Sequence, residues 1–478
     1  PTLKDRLDDT SNKIGILNEQ LTDSALNESK NQTDFIAMFG SQKNKRKILY
    51  RLIQDRRFDV FIPQYGEFGA MYRFFKNTNE DFIRMGFVDF SQMSLIEGYA
   101  ENKNYDSTTG TWSTASSPNH YTSQVGATFT LTFYGTGIDF LHYADTRGGV
   151  WEFAIDGVVV KQVSTHINAV PQNELFTNYG IRPIARNLEL KEHTLVATFK
   201  GDDPLNPPSS SPSRGWVRYA APGLIADYNY TAHIYGPVYQ ETKIKNILHN
   251  GSVKEFAFAI DDGTGAVEWI PEHYSKGSTR AVSQEVIIDG VIVSDYTEMK
   301  NFREADAIIV KQNLIGFHPN APSIDICEIV CTHSITPSGV FFNAKVKWLK
   351  PTLVTDGYAM MLPVLPNAAE KLFTSNMSKM DVIKTDNTFT EIPNGKKAIS
   401  FMITNSEDYV SIVKIFNTKQ SLRDIDDPQV KIQVQHRTDM QKLYPTVYKG
   451  HTVNAGDEYR FSCQYEIGKV ANAQNLFG

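Results

Sequence analysis

The stretch GATFTLTFYGTGIDFLHYADTRGGVWEFAIDGVVV, residues 126–160, decides the fold class. Phe129, Leu131 and Phe133 alternate with Thr128, Thr130 and Thr132. A period of two puts the rings on one face of a strand and the hydroxyls on the other. Gly135 and Gly137 bracket a turn. Ile138 and Phe140, then Trp151, Phe153 and Ile155, continue the pattern in two more strands, and the alternation assigns Trp151 to the core. Asp156-Gly157 is a two-residue hairpin signal leading into VVVKQV. Farther on, LELKEHTLVATF (188–199) reads as a turn and another alternating strand.

Working outward, the same grammar holds from about residue 99 to the end. Val, Ile, Thr, Phe and Tyr dominate, and the turn pairs Asn250-Gly251, Asp262-Gly263 and Asp289-Gly290 recur. The chain is therefore expected to be mainly β, with serial sandwich modules at 99–235, 236–375 and 376–478. GDDPLNPPSSSPSRG (201–215) is composed like a linker, but strand-like segments flank it, so it reads as a long loop crossing between two strands of one module. Strands are expected near 398–404, 409–415, 429–435 and 458–467.

The N-terminal part reads differently. Leu7, Ile14 and Leu21 fall seven apart, and Leu3, Thr10, Leu17 and Ser24 form the interleaved series. This is the a/d pattern of a short coiled-coil helix over 1–30, weakened by Thr10, Gly15 and Ser24. Leu3, Leu7, Ile14, Leu17 and Leu21 are the oligomerisation candidates; an amphipathic helix packed on its own chain is the alternative. Residues 31–98 are expected to be a helical collar. In KNKRKILYRLIQDRR (43–57), Ile48, Leu49, Leu52 and Ile53 share a helical face, while FDVFIPQYGEFGAMYRFF (58–75) reads as short strands and turns.

Composition excludes several classes. The 478 residues carry a net charge of −6, so a nucleic-acid binder, which needs a dominant basic surface, is not expected. Three cysteines give no disulfide framework and suit folding in a reducing cytoplasm. PTLKDRLDDT lacks the apolar stretch of a secretory signal, and no run of 18 apolar residues predicts membrane insertion.

No catalytic constellation stands out, and no cofactor or metal is implied. Cys327, Cys331 and His333, with His318 upstream, resemble a zinc set. In a strand, however, Cys327 and Cys331 start roughly 13 Å apart at about 3.3 Å per residue, too far to share one ion at about 2.3 Å. The G-x-S-x-G, H-E-x-x-H, P-loop and G-x-G-x-x-G patterns are missing. Asp261, Asp262, Glu268 and Glu272, with Trp269, form an acidic cluster that reads as a solvated hairpin loop, although a glycosidase carboxylate pair remains an alternative.

In order, G-A-x-F-x-x-x-F-x-G-T-G, the Gly148-Gly149 hairpin into x-D-G, and the late L-x-x-H-T-L resemble a jelly-roll module found beside carbohydrate-active domains and in phage tail proteins. The resemblance covers about 100–230. It departs where a glycine before the late histidine is Glu192 here. GFHPNAPSIDICEIVCTHSITPSGVFFNAKVKWLKPTLVTDGYAMMLPV (316–364) resembles the sandwich body of adsorption-associated tail or baseplate proteins of phages that infect Gram-positive bacteria. These likenesses imply a tail-fibre or baseplate receptor-binding protein. It would be made in host cytoplasm, released by lysis and resident in the virion. Its expected partners are other tail proteins, its own copies as a homotrimer by analogy with tail fibres, and a host wall glycan such as teichoic acid. A sugar site needs an aromatic plate with planar polar groups at its rim. The glycan-binding candidates on loops are Tyr105, Trp112, His120 and Tyr121, then Asp145 and Arg147, then Trp216, Arg218 and Tyr219. Trp112, in the polar stretch STTGTWSTASS, has little local packing and is the leading aromatic. A wall-polymer depolymerase and a purely structural baseplate component are the alternatives.

Overall fold

The computed structural model describes residues 47–471 and 473, apart from 54–56, 117, 221–225, 262–265, 272–275, 295, 297, 300 and 421–430. The heptad residues Leu3, Leu7, Ile14, Leu17 and Leu21 lie outside them, as do Asp262 and Glu272. The described chain is mainly β, with antiparallel sheets and four short 3-10 turns. It divides into residues 94–240 and a second unit formed by 1–93 with 241–478. The strands Arg84–Lys103 and Ala232–Leu248 each carry the chain from one unit into the other.

The 94–240 unit is a sandwich. One sheet runs in the order Val158–Ser164, Gly149–Ile155, Lys191–Asp202, Thr128–Gly135, Ser107–Thr109. The other layer is built on Gly137–Tyr143, flanked by Tyr179–Ala185 and by the start of Ala232–Leu248. A small ribbon of Ser113–Thr114, Asn119–Thr122 and Gly215–Arg218 completes it. Phe129, Leu131, Phe133, Trp151, Phe153, Leu195 and Phe199 from the first sheet pack against Ile138, Phe140, Ile184, Val217 and Ile234. Each such side chain contributes about 1.5–3 kcal/mol by leaving water. Trp151 is fully buried, as its alternation predicts.

Two of the sequence marks turn out to be one contact. Asp156 and Gly157 take φ of 51° and 81°, and Ile155 faces Val158 across a two-residue turn. The Asp156 carboxylate accepts from Thr194 N at 2.9 Å and lies 2.8 Å from His193 Nδ1. The x-D-G turn and the later H-T-L therefore hold each other. The Pro-rich segment is a loop between Lys191–Asp202 and Gly215–Arg218. It lies along the 145–149 loop: Ser209 N donates to Thr146 O and Arg214 N to Arg147 O.

The other unit is centred on a ten-stranded sheet. Its middle strands are Ile308–His318, Ala321–Thr336, Gly339–Trp348, Glu458–Lys469 and Tyr409–Gln420, in that order. Strands of 236–375 and of 376–478 thus lie side by side, with Val340 opposite Tyr465. Further strands from 48–93, 256–261, 352–364 and 431–448 share its core. The returning chain is fixed at its first residue. Glu241 pairs with Arg73 at 3.0 Å and accepts from Ser91 Oγ at 2.9 Å, while Arg73 also pairs with Asp89.

The helix expected in 43–57 is corrected. Ile48–Ile53 is a strand, paired with Arg57–Tyr65 on one edge and with Arg303–Ala305 on the other. Four apolar residues within six fit one helical face and a doubly paired strand equally well. The pairing with residues 303–305 supplies a second edge that local periodicity does not reveal.

Cys327 and Cys331 sit on Ala321–Thr336, both buried, and Cys463 faces the same core. Among the described residues, no group of three His, Cys, Asp or Glu is placed to hold a metal ion. Burial pushes the Cys327 thiol up to about 12 and raises those of Cys331 and Cys463. Since the thiolate is the reacting species, a native chain should leave an aromatic disulfide reagent unreduced at pH 8. In 6 M guanidinium all three thiols should react within minutes. A fast native equivalent would show that one of these strands opens.

Candidate functional site

The 145–149 loop follows the strand Gly137–Tyr143 and is closed by its own first side chain. Asp145 accepts from Arg147 N at 2.9 Å and from Arg147 Nε at 2.7 Å, an Asx-type turn. The same carboxylate accepts from the Trp216 indole N–H at 2.8 Å. Arg147 and Arg214 lie over the Trp216 ring at 5.4 and 5.3 Å, and Tyr121 and Tyr143 close on it at 4.8 and 5.1 Å. Trp216 is therefore 1% exposed. It anchors the loop and is not an open plate.

The ribbon of Asn119–Thr122 and Gly215–Arg218 sorts the sequence candidates. Trp216 faces Tyr121 and Val217 faces His120, and adjacent residues of a strand point to opposite sides. Tyr121 and Trp216 thus join Asp145 and Arg147. His120 goes to the other side, where its ring stacks on Tyr219 at 4.8 Å and its Nδ1 lies 2.8 Å from the Tyr105 hydroxyl. Tyr105 is 4.7 Å from Tyr219 and 5.7 Å from Trp112. Burial lowers the His120 pKa and lifts that of Tyr105 to about 12. Trp112 does find packing that its polar neighbours cannot offer. Its ring stacks on Trp151 at 5.8 Å, and its N–H donates to Thr109 O at 3.0 Å.

Arg218, the ninth candidate, is buried and leads to a third group. Its guanidinium donates to Asn119 Oδ1, Asn229 Oδ1 and the Tyr228 carbonyl and lies 4.8 Å over the Tyr179 ring. Around it stand Phe176, Tyr179 and Tyr228. Phe176 stacks with Tyr179 at 6.1 Å and with Tyr228 at 6.2 Å, with interplanar angles of 19° and 21°. Phe176 and Tyr228 are 43% and 42% exposed. An ion pair of Glu174 and Arg182, 2.6 Å, stands at the same hairpin.

Sequence reasoning missed this trio. Phe176 faces Tyr179 across a tight turn, which NELFTNYG signals, but Tyr228 arrives from a distant turn. Tyr179 and Tyr228 tilt by 35° at 5.3 Å, and the three rings, partly open and backed by a fixed guanidinium, offer apolar faces for the C–H side of a sugar with polar groups alongside. The acidic cluster offers less. Glu268 is held by Lys276, and Trp269 packs on Tyr358 at 5.7 Å.

No protein-family model matches this chain, and no curated protein matches it in sequence.

Proposed function

We propose that the protein is a tail-fibre or baseplate component of a virion that binds a host cell-surface glycan through its 94–240 unit, a jelly-roll-like sandwich. The observation that carries the reading is the open aromatic trio of Phe176, Tyr179 and Tyr228. Phe176 and Tyr228 are each more than two-fifths exposed and lie within 21° of parallel, a surface on which the C–H face of a sugar can stack. In this reading the clusters around Trp216 and Trp112 are the rigid support beneath the loops. A single sugar contact is weak. Copies joined through the 1–30 heptad, as a homotrimer, convert later contacts into intramolecular ones and raise apparent affinity by about 10²–10⁴. No catalytic step is part of the proposal.

The test is sedimentation of purified protein with isolated Gram-positive cell walls, with the supernatant assayed for released sugar and phosphate. Wild type should pellet and leave the supernatant clean. Phe176→Ala with Tyr228→Ala removes about 2 kcal/mol of contact, roughly a 30-fold weaker Kd, with no change in melting temperature. Soluble fragments in the supernatant would replace the proposal with a depolymerase. Full retention of binding by the double variant would move the site elsewhere, and no wall binding at all would favour a structural tail part.

A further inference from the structure

The unit formed by 1–93 and 241–478 holds a cavity of its own, of about 290 Å³, floored by a sheet face. In the pair Lys431–His436 and Gln441–Tyr448, Lys431 faces Thr446 and Gln433 faces Tyr444. These four side chains share one side of the sheet. Phe389, on the neighbouring strand, closes one wall with its ring edge-on to Tyr444 at 5.9 Å, and Asp356 and Lys449 close the opposite one. The volume suits one small polar molecule, at the lower end for ligand sites.

The lining is built for hydroxyls and a negative charge. Tyr444, 7% exposed, is one of the lining residues, and its hydroxyl can both donate and accept. Gln433 and Thr446 are hydrogen-bonded to each other at 3.1 Å and keep spare donor and acceptor capacity. Phe389, 49% exposed, supplies an apolar face. Among the described residues, Lys431 and Lys449 are the lysines of the lining and Asp356 its carboxyl group. Burial, the largest influence on that carboxyl, raises its pKa and so weakens its opposition to an incoming anion.

We propose that this cavity is a second binding site, for a polyol or sugar unit that carries an anionic group such as phosphate. Lys431 and Lys449 take the anion. Tyr444, Gln433, Thr446 and Asp356 take the hydroxyls, and Phe389 covers the C–H side. The inference does not depend on the aromatic trio of the 94–240 unit.

The experiment is calorimetric titration of the full chain at pH 7 and low salt with glycerol 3-phosphate, with glycerol, and with inorganic phosphate. Glycerol 3-phosphate should saturate one site, with glycerol and phosphate each at least tenfold weaker. Lys431→Gln and Phe389→Ala, both at exposed side chains, should each weaken glycerol 3-phosphate at least fivefold at an unchanged melting temperature. Phe176→Ala with Tyr228→Ala should leave it unaltered. Absence of saturable binding overturns the proposal, as does binding indifferent to Lys431→Gln and Phe389→Ala. Phosphate binding as tightly as glycerol 3-phosphate overturns the polyol part of it.

Discussion

Glu255→Ala is expected to destabilise the unit of 1–93 and 241–478 by about 3–5 kcal/mol, because it removes one partner of a fully buried polar group. Glu255 and His333 are both without solvent exposure, with Oε1 and Nε2 2.8 Å apart. An ionised carboxylate only accepts, so His333 is the donor. The same carboxylate accepts from Met85 N at 2.6 Å and from Lys254 N at 3.0 Å. Phe74, Phe82 and Phe342 surround the imidazole at 5.5, 6.2 and 4.8 Å. Glu255→Gln keeps the shape and one acceptor oxygen, so its loss should be smaller.

The effect carries a pH signature. Burial opposes the charge on Glu255. The hydrogen bond and charge of His333 and the Met85 N–H outweigh it and hold the carboxyl below its usual range. The unfolded chain then binds the extra proton, so this stability is present above the ordinary glutamate pKa and is lost as pH falls through the folded value. Hydrogen-exchange protection of Ala321–Thr336 peptides from pH 5 down to pH 2.5 reads the unit separately, which matters because a two-unit chain need not unfold in one step. Wild type should lose protection toward acid and Glu255→Ala should lose less. Equal stability of the two proteins at pH 7 would sink the assignment.

Gly148→Ala is expected to cost the 94–240 unit about 3 kcal/mol, the upper part of the range for forced overpacking. A Cβ at Gly148 would stand 2.2 Å from His166 N and from the Thr165 carbonyl carbon. Both are backbone, with no rotamer to give way. The loop would have to lift, breaking the bridges of Asp145 to His166 and of Gly148 to Arg214. Gly157 is the control. Nothing lies within 4 Å of its would-be Cβ, and only its φ of 81° resists a side chain, so Gly157→Ala should cost about 1 kcal/mol. Thermal melts of the two variants check the order, and equal melting temperatures would mean that the close approach at Gly148 does not matter.

Period-two alternation made the sandwich of 126–199 legible, because Thr128–Gly135, Gly149–Ile155 and Lys191–Asp202 each bury one face and leave the other more open. Phe129, Trp151 and Leu195 were readable for that reason. Ile48–Ile53 was not, since half of its pairing comes from residues 303–305. The nine candidate site residues were found as loop aromatics and charges, and the fold does gather eight of them into two clusters. Their exposure was not legible. Trp216 is closed by Tyr121, Tyr143 and two arginines, and Trp112 is half-buried against Trp151, and no local pattern encodes such contacts. Phe176 and Tyr228 were overlooked for the converse reason, as each looks ordinary beside its own neighbours.

Residues 94–240 form one contiguous segment, whereas the unit around them is assembled from both sides of it and pins the returning chain at Glu241. Two crossovers in the gene, one before codon 94 and one after codon 240, would exchange the whole segment and leave every strand pairing between 48–93 and 241–473 in register. If the aromatic trio touches a ligand, as proposed, a change of that ligand could be met by replacing residues 94–240 as one segment.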